Sequence, residues 1–131
     1  MNVFQVLKPG FFTTVQDLGR YGYLKYGVPI SGAMDSFSMV AANLLVGNSP
    51  NAACLEITLI GPELKALADT QIAITGGRIS VEINGEEAPM WQTLTVHRGD
   101  VVSLGKTESG CRCYLSIRGG INTPMILGSR S

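Results

Sequence analysis

Apolar and polar residues alternate with a period of two in short runs along most of this chain, and glycine or proline ends nearly every run. Val3 to Leu7 stops at Pro9-Gly10, and LEITLI, from Leu55 to Ile60, stops at Gly61-Pro62. Glu63 to Ala68 and Gln71 to Thr75 follow, the second closed by Gly76-Gly77. Ile79, Val81 and Ile83 alternate with Ser80, Glu82 and Asn84, after which Asn84-Gly85 supplies the pair of left-handed residues that a type I′ hairpin needs. Trp91 to His97, Val101 to Leu104 and Arg112 to Arg118 complete the set, with turns at Arg98-Gly99-Asp100 and Ser109-Gly110. Strands this short, with this many glycine turns, predict a mainly β protein built as an antiparallel barrel or sandwich.

One segment changes period. Phe37, Val40, Ala41, Leu44 and Leu45 fall at i, i+3, i+4, i+7 and i+8, which predicts one amphipathic helix over about 35–46 with those residues as its buried face. Asp35 is placed as N-cap and Gly47 as the residue past the C-terminus. The open N–H groups at the helix start could hold a carboxylate or phosphate, although Asp35 acting as an ordinary cap is the simpler reading.

Composition narrows the class. The chain has 131 residues, 45% of them hydrophobic, with 10 basic and 10 acidic side chains. That is room for one domain with a genuine core. Zero net charge argues against a nucleic acid or an anionic membrane as partner. No apolar run approaches the roughly 20 residues of a membrane span. MNVFQVLKPG lacks the basic and apolar regions of a signal peptide and reads as a first strand. An odd set of cysteines, Cys54, Cys111 and Cys113, fits a reducing, cytoplasmic compartment. No second cysteine pair accompanies Cys111-x-Cys113 and His97 is the only histidine, so no metal site is assigned.

The chemistry concentrates in TTVQDLGRYGYLKYGVPISGAMD, Thr13 to Asp35, which reads as a long ordered loop. Gly19, Gly22, Gly27 and Gly32 punctuate it too often for a helix or strand to run through. Tyr21, Tyr23 and Tyr26 lie there with Gln16, Asp17, Arg20, Lys25, Ser31 and Asp35. Long loops in compact domains are usually functional or disordered, and the interleaved apolar residues argue for order. Asp17 could accept a substrate N–H or act as base, and Arg20 could clamp a carboxylate or phosphorylated oxygen bidentately. Gln16 offers a neutral donor and acceptor. Ser31 with the backbone around Gly32 could form a small anion nest, while Tyr23 and Tyr26 could wall a pocket. Asp35 joins this set at the helix start.

Each has a plainer reading. Asp17 and Arg20 could be a turn cap with an adjacent ion pair, and the tyrosines could be packing under the loop. Ser31 is not read as a nucleophile, because no histidine lies in the loop. Glu56 alternates with Leu55 and Ile57, so its default position is solvent-facing, with a pocket-facing carboxylate as the alternative. Thr75-Gly76-Gly77 and Arg118-Gly119-Gly120 read as turns rather than phosphate loops.

In order, the segments TTVQDLGRYGYLKYGVPISGAMD, AANLLVGN, LEITLIGPEL, AITGG, Trp91, RGD at 98–100, YLSIRGGI and LGSRS resemble the start of the allophanate hydrolase subunit 2 family. That family is also described as carboxyltransferase-like, as KipA and as the C-type subunit of 5-oxoprolinase. The resemblance covers essentially the whole chain. Family members are more than twice as long, so residues 1–131 are expected to be an N-terminal portion truncated after LGSRS. It implies a cyclophilin-like β-barrel and a cytoplasmic enzyme subunit. The expected partners are an allophanate hydrolase subunit 1 (KipI-like) protein and a LamB/YcsF-type subunit.

The implied reaction is ATP-dependent opening of a lactam, most directly 5-oxoproline. The enzymatic alternative is biotin-dependent carboxyl transfer to urea or an amide. A third reading is a KipA-type regulatory protein that binds a kinase inhibitor. ATP and biotin would be handled outside these residues, since the chain has neither a phosphate-loop pattern nor a Met-Lys biotinylation dipeptide. Alone, such a portion is expected to be inactive, to expose an apolar seam and to self-associate.

Overall fold

A computed structural model of the chain describes residues 3–16, 35–108 and 111–121. Ten strands and one helix lie within them: β1 (Phe4–Lys8), β2 (Phe11–Gln16), α1 (Ser36–Leu45), β3 (Cys54–Ile60), β4 (Glu63–Ala66), β5 (Thr70–Gly76), β6 (Ile79–Ile83), β7 (Glu86–Glu87), β8 (Leu94–Val96), β9 (Val101–Thr107) and β10 (Arg112–Ile117). The strands form one antiparallel sheet whose main path runs β1-β4-β9-β3-β10-β5-β8. β2 adds to β3, while β6 pairs with β9 and with β7. The fold is therefore mainly β with a single short helix, as the sequence predicts. Among the described residues the path is open rather than hydrogen-bonded into a ring, so the barrel expectation holds only loosely.

Two halves of the sheet meet at one pairing, Ile60 of β3 with Lys106 of β9. The main core draws on both halves. Phe4, Leu64, Val81 and Val102 come from one, and Leu55, Ile57, Ile72, Ile74, Leu115 and Ile117 from the other. Each of these side chains occupies every second position of its strand, as a pleated strand with one face on the core requires. The β6–β7 hairpin confirms the Asn84-Gly85 turn: both residues have positive φ, 54° and 83°, and Ile83 pairs with Glu86 across them.

Three expectations change. Thr13 to Gln16 is not the start of a loop but the second half of β2, paired residue by residue with β3 from Ile57 to Cys54. The Trp91 strand starts only at Leu94, because Trp91 itself sits at φ 61°, outside the strand region. The helix has the predicted ends but the opposite buried face. Ser38, Met39, Ala42 and Asn43 point inward, while Phe37 is 76% and Leu44 58% exposed.

The physical reason lies in the sheet beneath. α1 packs on β5 and β10. The face they present carries Thr75, Tyr114 and Ser116, all buried. A helix lying on hydroxyl groups is held by acceptors, backbone or side-chain, that can meet them. Thr75 Oγ1 donates to the Ser38 carbonyl at 2.6 Å, and Ser116 Oγ donates to Asn43 Oδ1 at 2.8 Å. Met39, Ala42, Cys54 and Tyr114 form the small apolar cluster between these bonds. Asn43 Nδ2 also donates to the carbonyls of Pro50 (3.2 Å) and Ala52 (2.9 Å), so its amide is spent on tying the helix to its exit loop.

Candidate functional site

Strand register creates the site. In an antiparallel sheet, directly opposed residues project to the same side. Thr14 of β2 opposes Glu56 of β3, Glu56 opposes Tyr114 of β10, and Tyr114 opposes Thr75 of β5. Four strands thus place Thr14, Glu56, Tyr114 and Thr75 in one row on the helix side of the sheet. The intervening positions feed the main core.

The centre of the row is a buried hydrogen-bonded chain. Tyr114 Oη donates to Glu56 Oε2 at 2.5 Å. Tyr114 Oη also accepts from the Asp35 backbone N–H at 2.9 Å. Glu56 is only 7% exposed, which corrects its solvent-facing default. Glu56 Oε1 lies 4.0 Å from Arg112 Nε, two residues along β10 at the half-exposed rim of the row. Burial first, and then the hydrogen bond to Glu56, push the Tyr114 phenol well above the ordinary tyrosine range. The phenol is therefore a neutral donor, and the carboxylate is held in a fixed orientation away from bulk water.

The helix N-terminus abuts this chain. Asp35 Oδ1 accepts from Ser38 N–H at 3.0 Å and Oδ2 from Ser38 Oγ at 2.6 Å. Both carboxylate oxygens serve the cap, so Asp35 enters the row through its backbone N–H. Gln16, on the same face of β2 as Thr14, donates from Nε2 to Thr14 Oγ1 at 3.0 Å. Gln16 and Asp35 are the two residues between which the chain passes through the polar segment 17–34. Asp17, Arg20, Tyr23, Tyr26, Ser31 and Gly32 lie outside the described residues.

Sequence reasoning missed Tyr114 as a site residue and held a pocket-facing Glu56 only as the alternative to a solvent-facing one. Both sit at outward positions of strands whose inward positions are apolar, which normally means solvent. Only the pairing register, together with a helix whose small polar face fits the row, reveals that they are buried together. The cysteines take structural places among the described residues: Cys54 packs under the helix and Cys113 in the main core.

Among the described residues, no group of three or more His, Cys, Asp or Glu is arranged to hold a metal. The glycine pair at 76–77 is filled by protein: a Cβ on Gly76 would meet the Arg112 carbonyl oxygen at 2.3 Å, and one on Gly77 would meet Cys111 Cβ at 2.5 Å. A triphosphate has no room there. No helix among the described residues is long and apolar enough to cross a membrane.

Comparison with known proteins places these features in a family. The model of the carboxyltransferase domain, subdomain A and B, matches residues 26–131. The chain is 47% identical over 129 residues to urea amidolyase of Lachancea kluyveri, covering 98% of this chain and 7% of that protein. It is 35% identical over 127 residues to the C-type subunit of 5-oxoprolinase from Escherichia coli, covering 97% of this chain and 41% of that protein. The crystal structure of Kluyveromyces lactis urea carboxylase superposes with a TM-score of 0.86 at 51% identity, over 98% of this chain and 12% of that one. The chain thus spans less than half the length of each of these relatives.

Proposed function

This chain belongs to the carboxyltransferase domain family, subdomain A and B, and from that premise we propose that the Glu56–Tyr114–Asp35 row forms one wall of a site for a small urea-like or amide substrate. The observation that supports this reading is the buried carboxylate itself. Glu56 is fixed by a neutral phenol at the place where the Asp17- and Arg20-bearing segment leaves β2 and returns to α1. A buried carboxylate costs several kcal/mol of desolvation unless it is compensated, as it is here by Tyr114 and Arg112. A fold that needed only packing would place an apolar residue there more cheaply.

Urea and lactam carbonyls are poor electrophiles flanked by N–H groups. In the proposed division of labour a carboxylate receives substrate N–H, Glu56 or Asp17 supplying it, while Arg20 stabilises charge on the carbonyl oxygen. Gln16 and the hydroxyls of Tyr23, Tyr26 and Ser31, with the Gly32 backbone, orient the substrate. Between the two enzymatic readings, the identity gradient favours carboxyl transfer. The relatives named for urea stand at 39–51% and the 5-oxoprolinase subunits at 30–35%. Bound biotin would supply the activated carboxyl group and ATP the driving energy, both from parts of the enzyme beyond these residues. The subunit 1-like and LamB/YcsF-type proteins are the proposed partners of the lactam-opening form.

The test is ATP turnover by the complete gene product with its partner subunits, a biotin carrier and bicarbonate. Stimulation by urea or a simple amide, with a carboxylated product, supports carboxyl transfer. Stimulation by 5-oxoproline with glutamate release transfers the assignment to lactam opening. Turnover indifferent to all of these overturns the enzyme reading and leaves a KipA-type regulatory protein.

A further inference from the structure

On the helix side of the sheet, the hydroxyl groups around Glu56 are bonded within the protein. Thr14 Oγ1 accepts from Gln16, Tyr114 Oη donates to Glu56, Thr75 Oγ1 donates to the Ser38 carbonyl and Ser116 Oγ donates to Asn43. Two residues further along the same strands that pattern stops. Thr58 of β3 opposes Arg112 of β10, so the two project to the same side as Glu56 and Tyr114. Both are half-exposed, and neither the Thr58 hydroxyl nor the Arg112 guanidinium makes a hydrogen bond among the described residues.

Arg112 is close to Glu56 without being committed to it. Its Nε lies 4.0 Å from Glu56 Oε1, an ion pair beyond hydrogen-bond reach. A guanidinium fully engaged by a carboxylate closes on it at about 2.7–2.9 Å, often through two parallel bonds. The backbone beneath the side chain is held: Gly77 N–H donates to the Arg112 carbonyl at 3.0 Å, and Gly76 packs against the same oxygen. A fixed backbone thus presents a cationic fork whose two terminal amino groups have no protein acceptor among the described residues.

We propose that Arg112, with the Thr58 hydroxyl beside it, receives a carboxylate carried by the molecule whose amide N–H meets Glu56. This rests on reading the Glu56–Tyr114–Asp35 row as a substrate wall, and it adds a group that selects among amides. Both enzymatic readings put a carboxylate next to an amide nitrogen. In 5-oxoproline it sits two bonds from the lactam nitrogen, and in carboxylated urea it is bonded to the nitrogen itself. The protein offers the matching pair, an acceptor for N–H and a guanidinium for carboxylate, on neighbouring side chains. Arg112 then stands between two negative groups, Glu56 on its Nε side and the bound carboxylate on its Nη side. A neutral carboxamide fits less well, because it has one acceptor oxygen and turns an NH₂ group toward the fork.

Isothermal titration of the complete gene product, assembled with its partner subunits, tests this with two matched pairs of probes. 5-Oxoproline is set against its neutral amide, 5-oxoprolinamide. Carboxylated urea (allophanate) is set against biuret, in which a carboxamide replaces the carboxylate. The wild type should bind the acid of at least one pair about tenfold or more tighter than its amide. In Arg112→Gln the acid should lose about tenfold more affinity than the amide, which brings the preference close to one. Arg112→Lys keeps a charge beside Glu56 but lacks the fork, so it should fold like the wild type and retain an intermediate preference. Thr58→Val should lower the preference about threefold. A wild type with no preference for either acid, including one that binds none of the four probes, would overturn the proposal. So would Arg112 variants that weaken acid and amide alike, since that is the effect of lost support for Glu56. The substrate-wall reading fails separately, through wild-type turnover in Glu56→Gln.

Discussion

Tyr114 and Glu56 stand opposite each other on neighbouring strands and share one hydrogen bond of 2.5 Å, made at the bottom of the only helix–sheet junction among the described residues. The same phenol oxygen receives the first backbone N–H before the helix. One side chain therefore joins the charge of the site, the sheet that positions it and the helix that covers it.

Removing that oxygen should be felt in stability. Tyr114→Phe leaves the Glu56 carboxylate and the Asp35 N–H each short of a buried partner, and should cost about 1–3 kcal/mol in denaturant unfolding. Alkaline titration provides a second check. The native phenol titrates above the unfolded value near 10, so its contribution is complete below that pH and falls away as pH rises toward the native value. Stability should decline above about pH 10 in the wild type and decline less in Tyr114→Phe. Equal alkaline slopes would contradict this.

The cysteines should differ sharply in reactivity. Burial, reinforced by the neighbouring Cys111 thiol, pushes Cys113 up to about 12, and its Sγ donates to the Gly77 carbonyl at 2.9 Å. At pH 8 Cys113 therefore stays in the unreactive thiol form. Alkylation followed by peptide mapping should label half-buried Cys111 first, with Cys113 and the buried Cys54 reacting only on unfolding. Early labelling of Cys113 would be the opposing result.

Two glycines with positive φ separate backbone strain from crowding. Gly85 at φ 83° has open space where a Cβ would go, so Gly85→Ala should cost about 1 kcal/mol from the left-handed conformation alone. Gly76 at φ 104° presses on the β10 backbone, with a Cβ 2.3 Å from the Arg112 carbonyl oxygen. Gly76→Ala must move that strand and should cost about 3 kcal/mol or more. Comparable midpoints in parallel denaturant melts would refute the distinction.

Asn43 is predicted to be intolerant of its acidic isostere. Its amide faces the carbonyls of Pro50 and Ala52, so Asn43→Asp sets a carboxylate against two acceptors, at a cost of about 3 kcal/mol at pH 7. The introduced carboxyl is neutral more readily in the fold than in the unfolded chain, so its folded pKa is raised. Stability should recover as pH falls through the raised folded pKa, be fully restored by about pH 4, and be lost again as pH rises. A deficit independent of pH would mean that packing, not charge, is responsible.

Much of this fold is legible in the sequence because strands with one face on the core advertise it. Ile79, Val81 and Ile83 alternate correctly, and Asn84-Gly85 marks its hairpin to the residue. The helix ends are equally clear from Asp35 and Gly47. What cannot be read is anything decided by the second face of the sheet. β10, RCYLSI, is buried at Tyr114 and Ser116 as well as at Cys113, Leu115 and Ile117, because α1 covers the side that usually meets water. Periodicity ranks a helix face by hydrophobicity, so it selects Phe37, Val40, Ala41, Leu44 and Leu45. The hydroxyl-bearing sheet instead bonds the Ser38 backbone carbonyl and the Asn43 amide oxygen, which accept from Thr75 and Ser116. The same blindness hides Glu56. The second half of β2 escapes for another reason: Thr13, Thr14 and Gln16 are polar enough to merge with the glycine-rich segment that follows.

The most direct test of the central claim is steady-state kinetics of Glu56→Gln in the complete gene product assembled with its partner subunits. The substitution keeps the shape of the side chain and an oxygen for the Tyr114 hydrogen bond, but removes the charge. With melting temperature and subunit assembly unchanged, kcat/KM for the urea or amide substrate should fall by about 10²-fold. Turnover at the wild-type rate would contradict the account and reduce the Glu56–Tyr114–Asp35 row to scaffolding.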